Sequence, residues 1–275
     1  MEQVAQIAHP VFVGAPLTFV VRGSKPVSVP SEPGQGQAHN YEGEHEQHRV
    51  AIENVRDRID DFSLDREGFQ LVLHHTAVDF YDDVARTTTY EREIEQLLMQ
   101  VTGARRVIVF DHTLRAGDES TRVQRVVREP VQMVHNDYTA RSGPQRLRDL
   151  VGDEEANALL RGRVAIVNVW RGNRKIVQSM PLAIADARSI DPADLVATER
   201  RARDRIGEIQ HLVHNPGQRW YYVPDMEPDE AMLIKCYDSE EDLARFTAHS
   251  AFADPTSPPD APFRESIESR TFVIY

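Results

Sequence analysis

The stretch Val131-Gln-Met-Val-His-Asn-Asp-Tyr-Thr139 decides the predicted fold and site of this chain. Apolar residues lead into His135 and Asp137, which are separated by one residue. In a β-strand, residues i and i+2 project from the same face, so an imidazole and a carboxylate would lie side by side at a strand end. With one more histidine, this pair is typical of the two-His, one-carboxylate sites of non-haem iron enzymes. A lone His-x-Asp also occurs where a strand simply runs into a turn, so the pair needs support from the rest of the chain.

Composition limits the class of protein. Of the 275 residues, 40% are apolar and 28% charged, which suits a folded chain with a sizeable core. The net charge of −12 argues against binding nucleic acid or an anionic membrane, because both require clustered Lys and Arg. Cys236 is the only cysteine, so neither an internal disulfide nor a cysteine-based zinc site can form. We see no leader peptide and no membrane-spanning run, and we therefore expect a cytoplasmic protein.

Hydrophobic periodicity predicts mainly strands with a few flanking helices. Helices are predicted over 79–101 and 144–162. Polar stretches at 31–50, which contains His39, His45 and His48, and at 116–130 are interpreted as loops, and 51–62 as a short helix or an extended segment. Strands are predicted at 11–13, 17–22, 69–75, 106–110, 131–135, 164–170, 182–185, 209–214, 220–223, 231–237, 246–252 and 266–275.

Many short strands at a spacing of roughly ten residues predict a barrel or a double-sheet roll with helices packed outside. No repeat or linker divides the chain. We therefore expect a single domain over residues 1–275. Its amino-terminal strands and variable loop occupy 1–68, and its core occupies 69–275.

A third metal ligand must come from another strand, and His249 is the best candidate. Several predicted strands separate it from Asp137, which lets the chain wind round and return to the same mouth of a barrel. His211 and His214 are the competitors. They are three residues apart, so on a strand they face opposite sides and at most one of them can reach the metal.

A clamp for a dicarboxylate is predicted just before and within the last strand. Arg264, Ser266, Glu268 and Arg270 share one parity, so they can project from one face. An inward arginine beside a serine suits a carboxylate, because guanidinium pairs with it through two parallel hydrogen bonds. Whether Arg264 or Arg270 forms the clamp is left open by this pattern.

Further blocks extend these motifs and resemble one family of Fe(II)/2-oxoglutarate-dependent oxygenases of secondary metabolism. That group includes gibberellin-desaturase-like and aspirochlorine hydroxylase-like proteins, a cephamycin C-7 methoxylation component and a novofumigatonin endoperoxygenase. The likeness spans residues 69–275. The blocks that carry it are His135-Asn-Asp-Tyr-Thr139, Val167-Asn-Val-Trp-Arg171, Pro181-Leu-Ala-Ile-Ala-Asp-Ala-Arg188, Arg219-Trp-Tyr-Tyr222, His249-Ser-Ala-Phe252 and Arg264-Glu-Ser-Ile-Glu268.

The resemblance implies a double-stranded β-helix (a jelly roll, cupin-like) that uses Fe(II), 2-oxoglutarate and O2. It implies His135, Asp137 and His249 as iron ligands and Arg264 as the 2-oxoglutarate partner, with Ser266 and Arg270 beside it. Gln218 stands where members of the family often carry histidine before the Arg-Trp-Tyr block, and we interpret that position as a non-ligand. Residues with a weaker claim to contact the substrate are Arg115, Tyr138, Thr139, Arg171 and Trp220.

The expected reaction is oxidation of an unactivated C–H bond of a small secondary metabolite, such as a meroterpenoid. Hydroxylation, desaturation and endoperoxide formation all remain open as outcomes. One alternative is a non-catalytic jelly-roll partner subunit, and another is a metal-dependent isomerase or hydrolase that does not use 2-oxoglutarate. Homodimerisation is compatible with this class of fold.

Overall fold

The computed structural model describes residues 9–29, 34, 40–202 and 205–275, so His39 lies outside the described part. The strands in it are β1 (Phe12–Val20), β2 (Val27–Val29), β3 (Asn40–Glu42), β4 (His45–Asn54), β5 (Phe69–Leu73), β6 (Arg106–Ala116), β7 (His135–Asn136), β8 (Val164–Gly172), β9 (Leu182–Ala185), β10 (Leu195–Ala202), β11 (Arg205–Leu212), β12 (Trp220–Tyr222), β13 (Glu230–Asp238), β14 (His249–Ala251) and β15 (Glu265–Ile274).

Helices are fewer and lie between the strands. They are α1 (Asp83–Ala85), α2 (Glu91–Thr102), α3 (Glu119–Arg125), α4 (Ser142–Val151) and α5 (Asp153–Leu159), and a π-helical turn, Arg86–Tyr90, joins α1 to α2. Short 3₁₀ turns occur at Arg56–Asp61, Ala187–Ser189 and Pro192–Asp194. Among the described residues, none of the helices is long and apolar enough to cross a membrane.

The strands form two sheets that face each other. The larger sheet has ten strands in the order β1-β4-β12-β9-β14-β7-β11-β10-β2-β3, and the smaller has five in the order β5-β13-β8-β15-β6. From β6 onward the chain passes back and forth between the sheets, with β6, β8, β13 and β15 in one and β7, β9, β12 and β14 in the other. This alternation is the winding of a double-stranded β-helix, which confirms the predicted jelly roll. The β10–β11 hairpin is an addition to it at the edge of β7.

Side-chain parity decides which residues lie between the sheets. Along β8, Ile166 and Trp170 point into the core between the two sheets, whereas Val167 and Val169 point outward. The outward face is covered by α2, whose Ile94, Leu97 and Leu98 pack on it. Gly103 ends α2 at a φ of 72°, the left-handed conformation that glycine adopts without steric cost. The site residues on β8 and β15 therefore belong to the inward set.

Several predicted elements differ from the observed ones. The described part of the stretch 31–50 is not a loop, because it contains β3 and most of β4. The strand β4 pairs with β1 along nine positions, and its polar side chains mostly face solvent.

The predicted helix 144–162 is two helices, because Gly152 adopts φ 83° and ψ 162° between α4 and α5. The predicted loop 116–130 contains α3, capped by Asp118, whose carboxylate accepts a hydrogen bond from the Thr121 amide. The strand β10 was not predicted at all.

Candidate active site

Two histidines lie side by side on neighbouring strands of the larger sheet. His135 on β7 is directly opposite His249 on β14, so both side chains point into the space between the sheets. Their ring centroids are 4.6 Å apart. The Nδ1 atom of each ring lies at hydrogen-bond distance from a backbone carbonyl, that of Met133 (2.8 Å) for His135 and that of Thr247 (3.1 Å) for His249. A carbonyl can only accept, so Nδ1 carries the proton and each Nε2 presents its lone pair to the site.

Asp137 follows β7 and completes a cluster with the two histidines. Its Oδ1 lies 3.9 Å from Nε2 of His135. Its Oδ2 accepts hydrogen bonds from the Asn168 amide (2.7 Å) and from Nε of Arg270 (2.9 Å). Burial acts to raise the pKa of Asp137, but Arg270 and the two histidines outweigh it and hold this pKa well below its usual range. The group is therefore a carboxylate with one oxygen fixed by the smaller sheet and the other free to bind.

Asn136, the residue between His135 and Asp137, makes structural contacts that the sequence did not reveal. It is fully buried, and its amide nitrogen lies within hydrogen-bond distance of the Tyr138 carbonyl (2.6 Å), the Gln210 side chain (2.9 Å) and the Cys236 carbonyl (3.0 Å). Cys236 belongs to β13 of the smaller sheet. These contacts hold the turn that carries Asp137 against both sheets, and the Asn in His-Asn-Asp is the only signal of it in the sequence.

Glu268 is the second residue whose place the sequence did not reveal. Ligand atoms of Asp137, His249 and Glu268 all lie within 4.8 Å of one another. Oε1 of Glu268 is 3.8 Å from Nε2 of His249 and accepts from Asn168 at 2.9 Å, while Oε2 accepts from Arg270 at 2.8 Å. The sequence placed Glu268 on the same strand face as Arg264, but it did not predict that Glu268 contacts His249 and Asn168. Glu268 therefore adds a second buried carboxylate to the cluster.

The donor set suits a divalent transition metal. Nε2 of His249 is buried and has no hydrogen-bond partner among the described residues. Burial and the neighbouring His249 lower the pKa of His135 to about 3, so this ring is neutral at physiological pH, as a metal ligand must be. Two imidazole nitrogens and one carboxylate oxygen on one side of a point are the arrangement that leaves the remaining coordination positions open.

The competing histidines have other neighbours. His211 on β11 lies opposite His135, on the side away from His249. Its Nδ1 is 3.2 Å from the Thr198 hydroxyl, and its ring lies 5.5 Å from that of Tyr41. His214 stacks on His48 with ring centroids 3.8 Å apart. Of the three histidines, His249 is the one grouped with the Asp137 and Glu268 carboxylates, with ligand atoms within 4.8 Å of one another. Gln218 donates a hydrogen bond to the Val213 carbonyl.

The two candidate arginines differ in how fully they are engaged. Arg270 donates to Asp137, to Asp111 (2.7 Å), to the Thr113 hydroxyl (2.9 Å) and to Glu268. Arg264 is almost fully buried, lies over the Trp170 ring and donates one hydrogen bond to the Met180 carbonyl. Its Nε has no partner among the described residues, and neither does the hydroxyl of Ser266. Burial and nearby Arg115 lower the pKa of Arg264 to about 9, although Glu268 acts to raise it.

The residues with a weaker predicted claim to the substrate are dispersed. Tyr138 lines a cavity of about 690 Å³ that reaches Asp137 and Arg270. The hydroxyl of Thr139 donates to Glu208 (2.6 Å), and Arg115 donates to the Glu129 carbonyl (2.9 Å). Of these three residues, Tyr138 is the one that lines the cavity.

Arg171 and Trp220 point away from the space between the sheets. Arg171 has the opposite parity to Asn168 on β8 and bonds to His74 and the Pro228 carbonyl. Trp220 packs edge-on against Phe19 in a separate apolar cluster behind the larger sheet. Neither residue lines the cavity. For Arg171 the sequence held a signal of this, because it lies three residues after Asn168 on β8 and therefore points to the opposite face.

Comparison with known proteins gives consistent matches. The family described as Oxidoreductase/YMDC permease-like domain matches residues 17–274. Hydroxylase/desaturase CTB9 of Cercospora beticola is 35% identical, with 84% of this chain and 78% of that protein covered. The Fe(II)/2-oxoglutarate-dependent dioxygenase nvfI of Aspergillus novofumigatus is 32% identical, with 90% of this chain and 89% of that protein covered.

A solved structure agrees with the sequence relatives. The iron and alpha-ketoglutarate-dependent endoperoxidase NvfI superimposes with a TM-score of 0.85 at 29% identity, covering 96% of this chain and 98% of that one. The resemblance inferred from the sequence blocks is thereby confirmed, and so is the fold. The chain belongs to the family of Fe(II)/2-oxoglutarate-dependent dioxygenases, enzymes that use Fe(II), 2-oxoglutarate and O2.

Proposed function

We propose that His135, Asp137 and His249 hold Fe(II) in this dioxygenase. The observation that carries the proposal is the convergence of two Nε2 lone pairs and one carboxylate oxygen, all borne by the larger sheet. Asn168 and Arg270 reach the other oxygen of Asp137 from the smaller sheet. Partners of this kind orient a ligand and set its basicity.

We further propose that Arg264 and Ser266 bind the distal carboxylate of 2-oxoglutarate. The support is chemical, since both have buried polar atoms without a partner among the described residues, and an arginine–carboxylate pair would satisfy them. Arg270 is a poorer choice, because three carboxylates already surround it. In this assignment Arg264 binds the cosubstrate, and Arg270 positions Asp137.

When bound, iron with 2-oxoglutarate and O2 supplies the oxidant that removes hydrogen from a C–H bond. The chain itself holds the ligands, excludes water from the space between the sheets and presents one C–H bond of a small secondary metabolite. Hydroxylation, desaturation and endoperoxide formation remain alternative outcomes of that one site. A non-catalytic partner role and a reaction without 2-oxoglutarate gain no support, because the relatives are named as hydroxylases, desaturases and dioxygenases. One domain over 1–275, a homodimer and a cytoplasmic location stay predictions.

An anaerobic titration tests the ligand assignment. Apo-protein receives Fe(II) and then 2-oxoglutarate while visible absorption is recorded. A weak charge-transfer band that needs both additions is the expected result. His135→Ala and His249→Ala should each abolish it.

Two further histidine variants serve as controls. His214→Ala removes an imidazole that stacks on His48 and should leave the band intact. His211→Ala tests the neighbour of His135 on the other side. If His211→Ala loses the band and His249→Ala keeps it, the third ligand is His211 and not His249. Absence of the band in the unaltered protein would remove the whole proposal.

A further inference from the structure

The cavity beside the site is too large for the cosubstrate alone. Its volume is about 690 Å³, and Asp137 and Arg270 form part of its wall. Cavities of roughly 300–1,000 Å³ hold drug-sized organic molecules. We therefore take this cavity as the place of the organic substrate, an inference that rests on the proposed oxygenase function.

Of the five described cationic residues in the cavity wall, Arg270 and Arg141 are already neutralised, Lys25 is exposed and Arg146 lies over the Phe110 ring. Arg270 is surrounded by Asp111, Asp137 and Glu268. Arg141 forms an ion pair with Glu208, which also belongs to the wall. Neither guanidinium has charge left to offer to a ligand without giving up an existing partner.

Arg200 is different. Its side chain lines the same cavity, is partly buried and forms no hydrogen bond or ion pair with any described residue. The neighbouring acid on its strand, Glu199, is bound to Arg201 instead. Burial together with nearby Arg270 lowers the pKa of Arg200 to about 10, although Asp137 acts to raise it, so the guanidinium is still charged at neutral pH. A guanidinium removed from water in this way costs free energy until an anion pairs with it.

Strand register places the Arg200 side chain on the face of the sheet that carries the candidate site. His211 lies opposite His135, and along the hairpin Val196 lies opposite His211 and Arg200 opposite Gly207. Opposed residues share a face, and steps of two keep it, so Arg200 projects from the sheet face that carries His135. Gly207 has no side chain to cover the guanidinium, and it too lines the cavity.

We propose that the organic substrate carries a carboxylate and that Arg200 binds it, which fixes the molecule in the cavity with one C–H bond facing the metal site. A guanidinium pairs with a carboxylate through two parallel hydrogen bonds, so it sets orientation as well as affinity. Arg200 is thus a specificity-determining residue of the hairpin, and the chemical class of substrate is a small organic acid.

The test uses matched acids and amides, because the substrate itself is unidentified. The probes are 1-adamantanecarboxylic acid and 2-naphthoic acid, each beside its primary amide. Binding to the protein loaded anaerobically with Fe(II) and 2-oxoglutarate is measured by calorimetry. We expect at least one acid to bind about tenfold or more tightly than its amide, since a hydrogen bond to a charged group contributes roughly 1.5–3 kcal/mol.

Variants locate the effect. Arg200→Gln should abolish the preference for the acid, and Arg200→Lys should restore part of it. Arg201→Gln is the matched control, because Arg201 is the adjacent residue, is exposed and is paired with Glu199. It should keep the full preference. The charge-transfer band recorded on each loaded variant verifies that the site is intact.

Each contrary outcome is distinct. If neither acid binds better than its amide while the unaltered protein shows the band, the inference about Arg200 is wrong and the oxygenase assignment stands. If Arg200→Gln weakens 2-oxoglutarate binding as strongly as acid binding, Arg200 belongs to the cosubstrate site and the inference is overturned. If the unaltered protein shows no band, the proposed function fails first.

Discussion

At the scale of single residues, the division of labour between two arginines is the sharpest feature of the site. The buried Nε of Arg264 has no hydrogen-bond partner among the described residues, whereas Arg270 contacts three carboxylates and a hydroxyl. Two arginines six residues apart on one face thus have different partners. The groups that surround each guanidinium determine whether it can bind a further carboxylate.

Arg264→Gln should weaken 2-oxoglutarate binding and leave Fe(II) binding intact. Loss of hydrogen bonds to a charged group predicts a decrease in affinity of roughly 10- to 150-fold. Anaerobic titration of the absorption band against 2-oxoglutarate measures it. Arg270→Gln is the counterpart, and it should weaken Fe(II) binding instead. The reverse pattern would exchange the two assignments.

Glu268→Gln should weaken metal binding without abolishing it. Glu268 holds Asn168 and Arg270, and these two hold Asp137, so the variant loosens a metal ligand indirectly. Losses of such supporting partners typically cost roughly 10- to 100-fold in metal affinity. Competition of the loaded protein with a chromophoric chelator measures the change. An unchanged affinity would mean that Glu268 has no part in positioning Asp137.

Sequence alone predicts His135, Asp137 and His249 as ligands, which stays a prediction, and it does not predict the residues that hold Asp137 in place. Alternation by two placed Arg264, Ser266, Glu268 and Arg270 on one face, and that much is observed. It could not show that Asp111 lies opposite Arg270, because cross-strand register depends on how β6 and β15 align over their whole length. Asn136 was invisible for the same reason, since its partners lie on β11 and β13.

At the scale of elements, predictability followed burial. Strands with a clear apolar pattern, such as β8 and β13, were predicted near their observed bounds. The strands β4 and β10 were missed, because at least half of their side chains are polar and backbone pairing with neighbours holds them. Alternation of apolar and polar residues reveals a strand only when one of its faces is buried. A strand that buries little of either face therefore gives no such signal.

Asp186 links two adjacent strands, and it predicts a pH dependence. Following β9, its buried carboxylate accepts hydrogen bonds from Arg188 and from Arg219, which precedes β12. Burial acts to raise the pKa of Asp186, but these two arginines lower it below its usual value. Because the pKa of this carboxyl group is lower in the folded than in the unfolded chain, the stabilisation is fully present above the unfolded-state pKa of about 3.9. It is lost as the pH falls through the folded-state pKa.

Asp186→Asn should therefore lower the free energy of unfolding at pH 7 by about 1–3 kcal/mol and flatten its acid dependence. Urea denaturation at neutral pH and at successive values below about pH 4 measures both effects. Asp191→Asn is a matched control, because Asp191 only caps an exposed turn at Ala193. Equal acid profiles for the Asp186 variant and the unaltered protein would contradict the linkage.

At the scale of the whole molecule, the site lies between two sheets that contribute different parts. The proposed metal ligands come from the larger sheet, and Asn168, Glu268 and Arg270 come from the smaller one. Ligand binding should therefore stabilise the folded chain globally. The net charge of −12 does not extend to the cavity wall, where five basic residues stand beside five acidic ones.

Thermal unfolding under anaerobic conditions tests this coupling. Fe(II) and 2-oxoglutarate together should raise the free energy of unfolding by about 2.7 kcal/mol when the free ligand is at roughly 100 times its Kd. His135→Ala should show no such gain. A gain of the same size in that variant would mean that the ligands bind elsewhere.

Arg270 has one more consequence, which concerns motion. It fastens the turn after β7 to β6 and β15, so the two sheets cannot separate at this end without pulling on Asp137. If Asp137 holds the metal as proposed, opening of the barrel mouth and loss of the ion should be a single event. Amide hydrogen exchange along β15 should slow when metal binds, and metal should leave at the rate at which those amides open.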